Sequence, residues 1–226
     1  MDAKKAAAEK AVAKIQEGMI VGLGSGSTAS QAIRALGARV REGLKIKAVA
    51  TSLKSEYLAL EYGIPVFDPG EFTSLDIDID GADEVDEKGN LVKGGGGSLL
   101  REKVIAFASK RFFVVVDDSK LVQTLGRFAL PVEVIPFAAQ LTFHQLAALG
   151  CDAAFRKSEE GQNFVTDNGN YIIDCKFGPI SDPAWLDVKI KMIPGVIETG
   201  LFSNKVVTAV FVGYPDGRVR EISINP

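Results

Sequence analysis

The chain has 226 residues, 46% of them hydrophobic and 24% charged, with a formal net charge of −3. That is the make-up of a globular protein with one domain, or one large and one small. The charge leaves no footprint for nucleic acid, and the N-terminus carries no apolar run that would read as a signal peptide or membrane span. The single histidine, His144, lies in a helical run beside apolar neighbours, which argues against multi-histidine metal sites. Cys151 and Cys175 form no C-x-x-C motif and read as reduced cytosolic thiols, although spacing alone leaves a bridge open.

Residues 2–17, rich in Ala, Lys and Glu, predict a helix. Lys4 and Lys5 on it are a solvated face, or a cation able to swing toward a phosphate. Met19 to Gly24 predicts a short buried strand, which runs through Gly24-Ser-Gly-Ser-Thr28 into a helix from Ala29 to Arg41. Backbone N–H groups and the hydroxyls of Ser25, Ser27 and Thr28 converge at that helix start, an arrangement that cradles phosphate. A plain N-cap by Ser27 or Thr28 accounts for the same residues equally well. Lys45–Thr51 then predicts a strand, Ser55–Tyr62 a helix and Ile64–Phe67 another short strand.

Leu75 to Asp80 alternates like a strand and ends on Asp80, followed by the acidic turn Asp80-Gly-Ala-Asp-Glu-Val-Asp86. Lys93 and the loop Gly94–Gly97 come next, then a helix from Ser98 to Lys110. In open α/β sheets ligands bind outside the carboxyl ends of strands, where this pattern puts Asp80 and Asp83. Loop amides without Cβ atoms above them, joined by a helix N-terminus, attract anionic oxygen. Glu102 falls one turn into that helix and leans toward its start. A carboxylate facing an oxyanion-stabilising loop, with Lys93 at the edge, suits proton abstraction. Taken singly, the acidic turn reads as a solvated loop and the glycines as a flexible turn; their joint placement at strand ends and helix starts is what favours a site. Glu84 and Asp86 read as structural or solvating, and Arg101 and Lys103 as surface or packing residues.

Arg111–Asp117 predicts a fully buried parallel strand, with Lys120 just past its carboxyl end. The alternation over residues 1–120 predicts an α/β fold with a doubly wound, mostly parallel sheet. Beyond Gly126 the order β-α-β-β-α-β, with a turn at Asp167–Asn170, predicts a smaller inserted ferredoxin-like α+β domain. The expected division is 1–127 plus 205–226 for the larger, Rossmann-like domain and 128–204 for the smaller one. A closing hairpin, Val206–Val212 and Val219–Ile224, is expected to rejoin the main sheet.

Gly22-Leu-Gly-Ser-Gly-Ser-Thr28, Asp80-Gly-Ala-Asp-Glu84, Lys93-Gly-Gly-Gly-Gly97 with Arg101-Glu-Lys103, and Leu130-Pro-Val-Glu-Val-Ile-Pro136 together resemble the A-type ribose-5-phosphate isomerases. So do Val165-Thr-Asp-Asn-Gly-Asn170, Ile193-Pro-Gly-Val196 and Gly200-Leu-Phe202. The resemblance implies interconversion of ribose 5-phosphate and ribulose 5-phosphate in the pentose phosphate pathway, with no metal or organic cofactor. It implies Glu102 as general base working through a cis-enediolate, with Lys93 and the Gly94–Gly97 amides holding the oxyanion. Asp80 and Asp83 would bind sugar hydroxyls and assist ring opening, beside Gly81 and Ala82. Ser25, Gly26, Ser27, Thr28, Lys120 and Lys4 would bind the phosphate. A cytoplasmic homodimer or homotetramer is implied, with no nucleic-acid or membrane partner. Ser25 and Ala129 stand where threonine and proline are frequent in the family. Two rivals remain: a coenzyme A transferase with a glutamate nucleophile, and a sugar-phosphate sensor, for whose DNA-binding helices the residues before the first strand leave no room.

Overall fold

The computed structural model describes residues 2–225. In chain order its elements are α1 (Ala3–Val12), β1 (Ile20–Leu23), α2 (Gly26–Arg41), β2 (Lys47–Ala50), α3 (Leu53–Glu61), β3 (Ile77–Asp80), β4 (Glu84–Val85), β5 (Leu91–Val92), α4 (Leu99–Ala108) and β6 (Phe112–Asp117). They continue with β7 (Leu130–Val134), α5 (Ala139–Ala147), β8 (Asp152–Phe155), β9 (Tyr171–Lys176), α6 (Pro183–Lys191), β10 (Val196–Thr199), β11 (Leu201–Phe202), β12 (Ala209–Gly213) and β13 (Val219–Ser223). The chain divides into two compact units. One holds the residues up to Ala82, Arg101–Leu121 and those from Asn204 onward; the other holds Asp83–Leu100 and Val122–Ser203.

The first unit is built on a six-stranded sheet of order β13-β12-β6-β3-β1-β2. Its strands run parallel from β2 to β12, and only β13 is antiparallel. Short apolar runs such as Phe112–Val116 are buried along their whole length because helices cover both faces of the sheet. Val21, Leu23, Ile77 and Ile79 pack on one face with Ala7, Ala11, Ile33 and Leu36 of α1 and α2. Val49 packs on the other face with Ile105 of α4. This is the doubly wound, mostly parallel sheet expected from the alternation of elements, and the C-terminal hairpin joins it as expected. The expected strand at Ile64–Phe67 shrinks to one bridge between Val66 and Ala48. Pro65 accepts the Ala48 N–H at 3.0 Å but has no N–H to continue a ladder.

The second unit contains a four-stranded antiparallel sheet of order β10-β7-β9-β8. With α5 after β7 and α6 after β9, this is the β-α-β-β-α-β arrangement of ferredoxin-like domains. Leu130, Val132 and Val134 join Leu146, Ile173, Leu186 and Ile190 in its core, where Cys151 and Cys175 are buried free thiols. Asp83–Leu100, read from the sequence with the larger domain, clusters here because β4 and β5 form a small antiparallel sheet with β11. Two-residue strands are too short to display a period. Among the described residues no helix is long and apolar enough to cross a membrane.

Asp76, just before β3, accepts a hydrogen bond from Lys110 Nζ at 2.8 Å and from the Ile20 N–H at 2.9 Å. The Lys110 bond first, then the Ile20 amide, hold its carboxyl below the ordinary carboxylate value. Because folding lowers this pKa, the stabilisation is full above the unfolded-chain value and is lost as pH falls through the folded value. Chemical denaturation of Asp76→Asn beside the parent should give a stability deficit at pH 7 that shrinks by about pH 3. A deficit that does not change with pH contradicts this account.

Candidate functional site

In the first unit the site begins where β1 hands the chain to α2. A Cβ on Gly24 would lie 2.0 Å from Asp80 Oδ1 and 2.1 Å from its Cγ, so only glycine fits against that carboxylate. Asp80 closes β3, is fully buried, and accepts the Ser25 N–H at 2.9 Å and the Gly81 N–H at 2.7 Å through Oδ1. One side chain thereby joins the turn after β1 to the turn after β3. Gly81 faces Thr28: a Cβ built on it would be 3.9 Å from the Thr28 Cβ. Ala82 follows directly.

Ser25, rather than Ser27 or Thr28, occupies the N-cap position of α2, and its side chain makes no capping bond. Its Oγ turns instead to Thr51 Oγ1 at 2.8 Å, Ser52 Oγ at 2.9 Å and Ser55 Oγ at 3.2 Å. The first-turn amides of α2, those of Gly26, Ser27 and Thr28, therefore lack a side-chain cap and carry the positive end of the helix dipole. Lys4 of α1 donates to Ser27 Oγ at 3.0 Å and stands 3.9 Å from Asp117 Oδ2. Burial alone would raise the Asp117 pKa, but the Ser119 hydroxyl and amide, then the charges of Lys4 and Lys120, hold it below the ordinary value. Lys4 thus links Ser27 at the start of α2 to Asp117 at the end of β6. Glu102, on the first turn of α4, is only 4% exposed.

In the second unit Lys93 is 2% exposed. Its N–H donates to the Gly200 carbonyl at 2.8 Å and its Nζ lies 5.5 Å from the centre of the Phe202 ring. Asp83 Oδ2 accepts the Gly95 N–H at 2.7 Å. Gly97 donates to the Gly94 carbonyl at 3.0 Å, closing the loop on itself. Two of the four loop amides are therefore committed within the protein. Those of Gly94 and Gly96 meet no acceptor among the described residues.

Several contributors had no signal in the sequence, because their partners are far away along the chain. Thr51, Ser52 and Ser55 converge on Ser25 from the start of α3. Arg156 and Asp174 sit under the glycine loop. Glu84 is fully buried and takes the N–H groups of Gly126 and Phe128, both at 2.7 Å, so it ties down a turn. Glu133 accepts from Thr166, Asn168 and Asn170, which anchors the Asp167–Asn170 turn. Lys103 is buried, and His144 is exposed on α5 with its ring edge-on to Phe143. Among the described residues no three histidine, cysteine or carboxylate side chains are grouped to hold a metal ion.

The family model for Ribose 5-phosphate isomerase A (phosphoriboisomerase A) matches residues 47–217. Ribose-5-phosphate isomerase A 1 of Oceanobacillus iheyensis is 52% identical over 214 residues, covering 94% of this chain and 95% of that one. The solved structure of ribose 5-phosphate isomerase A from Methanocaldococcus jannaschii superposes with a TM-score of 0.93 at 41% identity, covering 98% of each chain. A D-ribose-5-phosphate isomerase in complex with phospho-erythronic acid superposes with a TM-score of 0.94 at 37% identity, again over 98% of each.

The Gly24 contact has a direct consequence for stability. Gly24→Ala should cost about 1–3 kcal/mol, the usual penalty for forcing a methyl group into filled space. Urea unfolding checks this, and a variant as stable as the parent contradicts the packing described.

Proposed function

From the premise that the chain belongs to the ribose 5-phosphate isomerase A family, which interconverts ribose 5-phosphate and ribulose 5-phosphate, we propose how its own residues carry that reaction. The substrate is a sugar phosphate. Its phosphate is held by the first-turn amides of α2, with Ser25, Gly26, Ser27 and Thr28, and by Lys4 and Lys120. The uncapped start of α2 and the donation from Lys4 to Ser27 support this assignment. Asp80 and Asp83, with Gly81 and Ala82, bind sugar hydroxyls and assist ring opening.

Glu102 is the general base. It takes the proton from C2 of the open-chain aldose, the C–H electrons form a C1–C2 double bond, and the carbonyl π electrons move onto O1. Lys93 and the glycine loop stabilise this cis-enediolate. A proton then passes from O2 to O1, and Glu102 returns its proton to C1, leaving the carbonyl at C2. The observation that carries the reading is the burial of Glu102 in the first turn of the helix that follows the glycine loop. A carboxylate carried on a helix start rather than on a mobile loop is held in one place, which a general base needs. Lys93 is likewise withdrawn from water, which strengthens its interaction with developing negative charge.

The same reading includes a cytoplasmic homodimer or homotetramer. The stripe of Trp185 and Val188 on α6 with Met192 just past its end, exposed at 56%, 60% and 76%, supports self-association.

Glu102→Gln keeps size and shape but cannot accept the C2 proton. It should lose about 10²-fold or more in kcat while competition by inorganic phosphate stays near that of the parent. Near-normal turnover overturns the base assignment. Light scattering should give a multiple of the 24.1 kDa chain mass, and a 24.1 kDa particle contradicts self-association.

A further inference from the structure

The glycine loop is held from beneath by a side chain that the reaction scheme does not use. Arg156, the residue just past β8, has a side chain 14% exposed and grips Asp174 of β9 through both carboxylate oxygens, Nε to Oδ2 at 3.0 Å and Nη2 to Oδ1 at 2.5 Å. Its remaining terminal nitrogen, Nη1, donates to the carbonyls of Gly94 at 2.8 Å and Gly95 at 3.1 Å. The guanidinium lies 6.0 Å from the centre of the Phe164 ring, and a Cβ on Gly97 would meet that ring at 2.5 Å. Arginine and phenylalanine together form the floor of the loop.

Two peptide groups feel this floor directly. In a trans peptide the C=O and N–H point in opposite directions, and none of the described peptide bonds is cis. The peptide between Gly94 and Gly95 is held at both ends, its carbonyl by Arg156 and its N–H by Asp83. The peptide between Gly95 and Gly96 is held at one end only. Arg156 takes its carbonyl, so its N–H is turned away from the guanidinium, at an exposed residue with no acceptor among the described residues. Donation from a cation into the Gly95 carbonyl also polarises that peptide and makes the Gly96 N–H a stronger donor.

We infer that Arg156, fixed by Asp174, is a positioning residue that aims the Gly96 N–H at the enediolate oxyanion. This rests on the reading of the glycine loop as the oxyanion site, and it adds which amide does the work and what orients it. Asp83 and the Gly97–Gly94 bond fix other parts of the loop, but the Gly95–Gly96 peptide is oriented by the guanidinium, so that part of the loop is set before substrate arrives. Lysine cannot replace it, since one ammonium cannot grip Asp174 through two parallel bonds and hold two carbonyls as well.

The test compares Arg156→Lys, Arg156→Ala and Asp174→Asn with the parent, using ribose 5-phosphate as substrate and inorganic phosphate as competitor. Losing one oxyanion donor outright costs about 10²–10³ in kcat, and a loosened donor retains part of that. Arg156→Lys should therefore lose about tenfold or more in kcat, with KM and phosphate competition within about twofold of the parent. Asp174→Asn should show the same split with a smaller drop. Added guanidinium ion should restore part of the Arg156→Ala turnover. Unchanged kcat in Arg156→Lys overturns the inference. So does a parallel fall in kcat and phosphate binding without rescue, because that marks a merely structural arginine. Glu102→Gln in the same series separates the two ideas. Full activity there sinks the base assignment, whereas a crippled Glu102→Gln beside an unaffected Arg156→Lys sinks only this one.

Discussion

The first unit depends on one close approach. Gly24 passes so near Asp80 that no side chain can intervene, and the buried Asp80 carboxylate accepts the N–H groups of Ser25 and Gly81. That contact locks the turn after β1 to the turn after β3 at the carboxyl ends of neighbouring parallel strands. In open α/β sheets those ends converge on a crevice, and helix starts beside them present uncapped amides. The anion-attracting start of α2 and the acidic strand end that follows β3 are therefore set against each other by a backbone contact. They do not rely on flexible side chains finding one another.

The rest of the local electrostatics follows from what is kept out of water. Ser25 spends its hydroxyl on Thr51, Ser52 and Ser55, so α2 keeps its first-turn amides open. In the second unit Lys93 is buried over the Phe202 ring, and Asp83 and Arg156 grip the glycine loop through its amides and carbonyls. Each of these fixes a polar group in place, and under the proposed reaction such preorganised dipoles and charges would be the largest single source of transition-state stabilisation. The proposed base, Glu102, is part of the same economy of burial, carried on a helix rather than on a loop.

Much of this was legible in the residues. The strand–helix alternation announced the parallel sheet, and the later β-α-β-β-α-β order announced the antiparallel one, because both depend on local period and length. Glycine clusters next to Asp80 and Lys93 marked the turns, since close backbone approach demands glycine. What escaped were contacts between residues distant in the chain. Arg156 reaches loop carbonyls some sixty residues earlier, Glu84 ties a turn some forty residues later, and the hydroxyls around Ser25 come from the next helix. Two-residue strands such as β4 and β5 carry no period, and Pro65 prevented an apolar run from becoming a strand.

The central claim is that a carboxylate moves a proton between adjacent carbons of a bound sugar phosphate by way of an enediolate. The most direct measurement is the fate of hydrogen when the purified, EDTA-treated protein converts ribose 5-phosphate in deuterated water, followed by NMR during the first turnovers. Deuterium at C1 of the ribulose 5-phosphate is the predicted result, because a proton held on a carboxylate exchanges with solvent before it is returned. Ketose formed with no label at C1 would mean that hydrogen passes directly from carbon to carbon, and would contradict the account.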